Sequence, residues 1–340
     1  MKLDASVLRF MEADDWAVLC AIEAGMKNHE LVPAPLVDRI AGLRFGGTKK
    51  RLTKLLRYKL IHHENRQYDG FSMNYLGYDY LALWTFLKRK KVSMVGNQVG
   101  VGKESDIYVV SNDEGQEMIL KLHRLGRTSF QNVVQNRDYF KQPGKRRGAS
   151  WLQLSRLAAI KEYAFMQALH GAGFNVPTPI DQNRHCVLMS IVPGYTLCTI
   201  REMVHPEQVY KRALNLLTRL AQHGLIHGDL NEYNMMVTDD EQVWAIDFPQ
   251  MTSTEHLNAQ MYFDRDLNGI HNYFKKKFDV SFDYYPKLGH SEDVVKMHDL
   301  DAAVGASGWS NSQQKVMDKL LQLQGGQDDS GEEEEEEEEE

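Results

Sequence analysis

The sequence predicts an α+β fold in two parts: a helical N-terminal module with one short β ribbon, then a two-lobed body in which strands precede helices. Three observations carry this. Apolar residues recur at helical spacing up to about residue 91 and then give way to β-like runs at 95–101, 107–110 and 118–122. A glycine-rich turn, Gly100-Val101-Gly102, separates two of those runs. Beyond residue 193 the pattern returns mainly to helices. A chain of 340 residues has room for about two domains, and 42% apolar content is ordinary for a folded globular protein.

In the N-terminal part, Asp14 and Asp15 are placed to cap a helix through Ala24, with Gly25 at its end. Pro33 or Pro35 opens a second helix to about Ala41. After Gly46-Gly47-Thr48 comes a basic helix in which Leu52, Leu55 and Leu56 face inward and Lys49, Lys50, Lys54 and Arg57 fall mostly on the other side. Leu60–Glu64 and Phe71–Tyr75 then pair as a hairpin turned at Tyr68-Asp69-Gly70. Helix, helix, basic helix, hairpin is the order of a winged helix, a module that lays its basic helix on nucleic acid. The same charges also suit a plain solvated helix face. A last helix, about Gly77–Lys91, ends in Lys88-Arg89-Lys90-Lys91, where basic residues suit the helix dipole. The first domain is thus 1–91.

From 92 to 192 the chain reads as strands around one long helix. Asn112-Asp113-Glu114-Gly115 is a hairpin turn. Residues 126–150 are polar and rich in Arg and Lys, and read as a long mobile loop. Trp151–Leu169 is a helix ended by Gly171 and Gly173, and Cys186–Val192 is a buried strand entering a Pro193-Gly194 turn. Residues 193–290 form a second lobe and 291–324 an extension, within which Val316, Leu320 and Leu323 mark one face of an amphipathic helix. Residues 325–340 are compositionally disordered.

The net charge of −7 comes from that end, because nine of the acidic residues are Glu332–Glu340. Without them 40 basic residues meet 38 acidic ones, so the body can carry basic patches. The polyglutamate run serves as a solubilising tail or as a mimic of nucleic-acid charge. Three scattered cysteines, Cys20, Cys186 and Cys198, suit a reducing compartment and supply no metal framework. No apolar run is long enough to span a bilayer, and the N-terminus lacks the pattern of a secretory signal.

The chemistry concentrates in Ile226-His227-Gly228-Asp229-Leu230-Asn231-Glu232-Tyr233-Asn234 and Ile246-Asp247-Phe248. One Asp, an Asn five residues on and a second Asp thirteen residues later form the set that phosphoryl transfer uses. Asp229 can orient or deprotonate an attacking group. Asn234 and Asp247 are hard oxygen ligands for Mg²⁺ on the phosphates of ATP. His227 is expected to pack and hold the loop. Upstream, Gly100, Gly102, Lys103, Glu104 and Ser105 form a turn between strands whose glycines let backbone amides approach phosphate oxygens. Lys121, flanked by aliphatic residues on the next strand, would direct its charge into a cleft, and Glu162 is its expected partner. Met189 and Ile191 are placed for adenine contact, although Met189 suits an ordinary core equally well.

Together these residues resemble the RIO family of atypical protein kinases, in its Rio2 branch, over roughly residues 1–290. The stretches that carry the likeness are Gly100-Val101-Gly102-Lys103-Glu104-Ser105-Asp106-Ile107-Tyr108, the loop between Lys121 and the Glu162 helix, the 226–234 loop and Ile246-Asp247-Phe248-Pro249-Gln250-Met251. The resemblance implies a winged helix joined to a two-lobed protein-kinase-like (RIO) domain that binds Mg-ATP, phosphorylates itself and hydrolyses ATP through a phosphoaspartate at Asp247. It also implies a cytoplasmic protein, shuttling through the nucleus, that acts on pre-40S ribosomal particles and touches 18S pre-rRNA through the winged helix and the basic loop. Gly228 replaces the Arg that ordinary kinases use to read a phosphorylated activation loop. Pro249 replaces a Gly, and no Ala-Pro-Glu follows. Control by activation-loop phosphorylation and ordinary peptide docking are therefore not expected. Two other readings share the loop: a small-molecule kinase of the aminoglycoside or choline type, and an assembly module that nucleotide merely locks.

Overall fold

The computed structural model describes all residues except 1–2, 4, 66–67, 126–148, 283–284, 290–293, 307–308, 311 and 318–340. The basic loop and the polyglutamate run therefore lie outside the described residues. The chain forms two compact units. One comprises Met1–Ala159, Asp181–Val187 and Lys315–Glu340, the other Ile160–Ile180 and Leu188–Gln314.

The first unit begins with α1 (Ala13–Gly25), α2 (Ala34–Ala41), α3 (Thr48–Arg57), the antiparallel pair β1 (Ile61–Glu64) and β2 (Gly70–Met73), and α4 (Tyr75–Lys88). This is the winged-helix order. The cap of α1 is Glu12, in a reciprocal capping box with Asp15. Gly25 is the last residue of the helix rather than past its end, and a Cβ there would sit 2.5 Å from Val32. Asn74 caps α4 by accepting from the Gly77 amide at 2.9 Å. Trp16 stacks on Trp84 with centroids 4.9 Å apart. Around them Val18, Leu19, Ile22, Leu55, Leu60 and Leu81 are sealed from water.

The basic face of α3 is smaller than the spacing suggested. Lys54 bonds Asp15 at 2.6 Å, and Arg51 reaches Glu12, Asp14 and Asp15 at 2.8 to 3.2 Å. Asp15 is fully buried, so these cations complete the packing of α1 on α3. Lys49, Lys50 and Arg57 stay exposed, Leu52 and Leu55 are buried as expected, and Leu56 is only half-buried.

The same unit continues with the antiparallel strands β3 (Met94–Val101), β4 (Ser105–Ser111) and β5 (Glu117–His123). Their sheet goes on through β7 (Cys186–Ser190) to β6 (Pro179–Asn183), an edge that the sequence pattern does not disclose. Arg124, just past β5, is 3% exposed. Its guanidinium donates to both oxygens of Asp79 on α4 at 2.6 and 2.8 Å and to Asp106 on β4 at 3.0 Å. His185 also bonds Asp79, at 2.8 Å.

In the second unit the expected run of helices is interrupted. The helices Pro206–Gln222, Ala259–Phe278 and Leu300–Ala306 are accompanied by two small sheets, β8 (Gly194–Thr196)-β10 (Met235–Thr238)-β11 (Val243–Ala245) and β9 (Leu225–Ile226)-β12 (Thr252–Ser253). Strands of two to four residues are too short for alternation to register in the sequence. The buried strand predicted to run to Val192 ends at Ser190. In the C-terminal extension Met317 is buried while Val316 is 41% exposed, so the inward face differs from the one read from Val316; Leu320 and Leu323 lie outside the described residues.

Candidate functional site

The 226–234 loop leaves the short strand β9, and its conformation is fixed from three sides. His227 is fully buried. Its Nε2 lies 3.2 Å from the Ile246 carbonyl and its ring packs on Phe248, with centroids 5.7 Å apart. It holds the loop to the segment that carries Asp247, as expected. Gly228 has φ +79°, and a Cβ there would sit 2.9 Å from the Gln250 carbonyl oxygen. An Arg at this position would be both strained and obstructed.

The third support is Asp266, which the sequence reading missed. It lies in the helix Ala259–Phe278 and is 2% exposed. Its carboxylate accepts the Gly228 amide at 2.7 Å and the Leu230 amide at 2.9 Å, one on each side of Asp229. Burial pushes its pKa up to about 6, against the pull of those two amides. A signal existed: Phe263, Asp266, Leu267, Ile270 and Phe274 share the inward face, and an acid among apolar inward positions needs a partner.

Asp229 projects from this frame half-buried. Asn231 and Asn234 each donate an amide hydrogen to its carboxylate at 3.0 Å, and Asn234 also bonds the Asp229 carbonyl at 2.9 Å. Burial raises the Asp229 pKa and the neighbouring Asp247 charge adds to this, while Arg265 and the two Asn residues oppose it. The Asn234 carbonyl accepts the Ile246 amide at 3.0 Å, which ties the loop to the residue before Asp247. Asp247 sits at φ +69°, a left-handed conformation that costs a non-glycine residue about 1–3 kcal/mol and recurs at functional sites. Asp229, Asn234 and Asp247 are therefore brought together.

The donor set fits Mg²⁺. With its amide nitrogen committed to Asp229, Asn234 has only its amide oxygen left as a ligand atom. Among the described residues no three His, Cys, Asp or Glu side chains group closely enough to hold a metal. A cation bound by Asn234 and Asp247 would complete its shell with phosphate oxygens and water, the habit of Mg²⁺.

Of the other expected residues in this unit, Glu162 on the helix Ala149–Gly171 is 1% exposed, Met189 is 6% exposed and Ile191 is 40% exposed. In the first unit, Lys121 faces Ile107 across β5 and β4 and is 6% exposed. Gly102 donates its amide to the Ser105 carbonyl at 2.8 Å, closing the turn, while Lys103 and Glu104 are exposed. A Cβ on Gly100 would press on Ile107 at 3.3 Å. The Arg124 amide binds the Glu104 carbonyl at 2.6 Å, so the arginine that holds Asp79 and Asp106 also anchors this turn.

The RIO domain family model matches residues 106–285 and the Rio2 N-terminal model residues 8–89. The chain is 53% identical over 320 residues to the serine/threonine-protein kinase rio2 of Dictyostelium discoideum, an alignment covering 94% of this chain and 60% of that protein. The chain thus spans about three-fifths of that relative's length. It is 44% identical to the serine/threonine-protein kinase rio2 of Schizosaccharomyces pombe, covering 95% and 93% of the two chains. It superposes with TM-score 0.82 and 42% identity on the crystal structure of a Rio2 kinase-ADP/Mg²⁺-phosphoaspartate complex from Chaetomium thermophilum, covering 96% of this chain and 99% of that one.

Proposed function

Because this chain belongs to the RIO kinase family, in its Rio2 branch, we propose that it is an ATP-dependent phosphotransferase that transfers the γ-phosphoryl group to its own Asp247 and then hydrolyses it. The observation that carries this is the Asp229–Asn234 hydrogen-bonded pair beside a left-handed Asp247. One carboxylate oxygen of Asp247 attacks the γ-phosphorus, the bond to the β,γ-bridging oxygen breaks, and ADP leaves with that oxygen's electrons. Water then attacks the acyl phosphate. Asp229, held by Asn231 and Asn234, accepts the water proton, and inorganic phosphate and the Asp247 carboxylate are regenerated. A divalent cation held by Asn234 and Asp247 supplies neutralising charge to the phosphates. Lys121, with Glu162 as its ion-pair partner, positions the nucleotide; Gly100, Gly102, Lys103, Glu104 and Ser105 cradle the phosphates; and Met189 and Ile191 border adenine.

The same proposal places the protein in cytoplasmic maturation of the small ribosomal subunit, bound to pre-40S particles through RNA. Its support is the exposed Lys49, Lys50 and Arg57 on the winged-helix module. A test of the chemistry is incubation with γ-labelled ATP and magnesium. Wild type should acquire acid-labile label and turn over, and Asp247→Ala should do neither. Full turnover by Asp247→Ala would refute the covalent route.

A further inference from the structure

Between α2 and α3 the chain exposes a phenylalanine that the core does not use. Phe45 is 91% exposed. The turn that presents it is built from glycines in left-handed conformation: Gly42 at φ +56°, Gly46 at +68° and Gly47 at +93°. No atom lies within 4 Å of a Cβ placed on any of the three. The glycines thus serve the bend itself, not a close neighbour. The Arg44 guanidinium lies 5.3 Å from the Phe45 ring centroid, which makes one broad cationic platform.

Every charged residue between positions 39 and 59 is basic. Arg39, Arg44, Lys49, Lys50, Arg57 and Lys59 are all exposed, and among the described residues none has a carboxylate partner. The basic residues that do have partners, Arg51 and Lys54, face α1. Asp38, the nearby acid, is engaged by the Thr48 hydroxyl. Gly47 caps α3 without any side-chain hydrogen bond, so the first amides of the helix remain open beside Lys49 and Lys50. An apolar pocket on a partner protein would explain the ring but not the cations. A paired duplex would explain the cations but not the ring, since its bases are already stacked. An unpaired base flanked by phosphates explains both.

We infer that Phe45 is a stacking platform for one unpaired nucleobase, with Arg44 extending the platform and Lys49 and Lys50 at the start of α3 binding the flanking phosphates. The inference rests on the reading that the winged-helix module contacts RNA, and it names the feature of the RNA that is read. Because the platform reads a base face and a phosphate, a DNA hairpin with the same loop should bind as its RNA counterpart does.

The test is anisotropy titration of the full chain against a labelled RNA hairpin with an unpaired loop, the matching DNA hairpin and a fully paired RNA duplex, at several salt concentrations. Phe45→Ala should weaken looped RNA about tenfold, within the range for losing one stacked base, and leave duplex binding and the salt slope unchanged. Phe45→Trp should keep the affinity and add a fluorescence signal that looped RNA quenches and duplex does not. Lys49→Gln with Lys50→Gln should weaken both RNAs and reduce the salt slope by about two. Looped RNA bound equally by wild type and Phe45→Ala overturns the inference and leaves the ring to a protein pocket. Equal weakening of loop and duplex by Phe45→Ala overturns it as well. If wild type binds no RNA, the reading of the module as an RNA-binding element has failed instead.

Discussion

Gly228 and Asp266 show how single residues set the loop around Asp229. Gly228→Ala forces a Cβ into left-handed backbone, at about 1–2 kcal/mol, and against the Gln250 carbonyl. Urea unfolding should show a loss of about 1–3 kcal/mol, and phosphate release should slow at least tenfold because the amides that Asp266 holds must shift. Asp266 makes a separate prediction about pH. Its ordinary pKa of 3.8 rises to about 6 on folding, so the folded chain binds that proton more tightly than the unfolded chain does. Its contribution to stability therefore falls as pH rises from about 4 to about 6, by about 3 kcal/mol in all. Asp266→Asn removes this dependence. The stability of wild type relative to the variant should drop across that window, and a flat difference would contradict the assignment.

At the scale of elements, Arg124 joins three pieces of the first unit: α4 through Asp79, β4 through Asp106, and the turn between β3 and β4 through the Glu104 carbonyl. Asp79 is 1% exposed. Burial alone would raise its pKa, but Arg124 and His185 override that and hold it below the usual carboxylate value. Asp79→Ala would leave a buried guanidinium without its bidentate partner, at about 3–5 kcal/mol. Denaturant unfolding should record that loss. Asp14→Ala, which removes a half-exposed partner of Arg51, should cost about 1 kcal/mol or less.

For the whole molecule, ligand linkage is the natural probe of the proposed nucleotide site. Mg-ATP at a hundred times its dissociation constant should stabilise wild type by about 2.7 kcal/mol. Lys121→Met should remove most of that gain, read as a lost thermal shift. The proposed Lys121–Glu162 pair makes a stricter demand. In a cycle of Lys121→Met, Glu162→Gln and the double variant, nucleotide affinities should depart from additivity by about 1 kcal/mol or more. Additive effects would discard the pair.

The sequence by itself determined the winged-helix order, the β3–β5 meander, and the grouping of Asp229, Asn234 and Asp247. These are local facts: periodicity, turn residues and short spacings survive in one dimension because the interactions behind them span only a few residues. The family likeness followed from the same stretches. Only the tertiary structure decided which α3 cations are committed to α1, that Gly25 serves a close contact rather than a cap, that short strands interrupt the C-terminal helices, and that Asp266 and Arg124 brace the loops. The α3 cations, Asp266 and Arg124 depend on partners distant in the chain, and a buried charge carries no mark in sequence of the residue that will neutralise it.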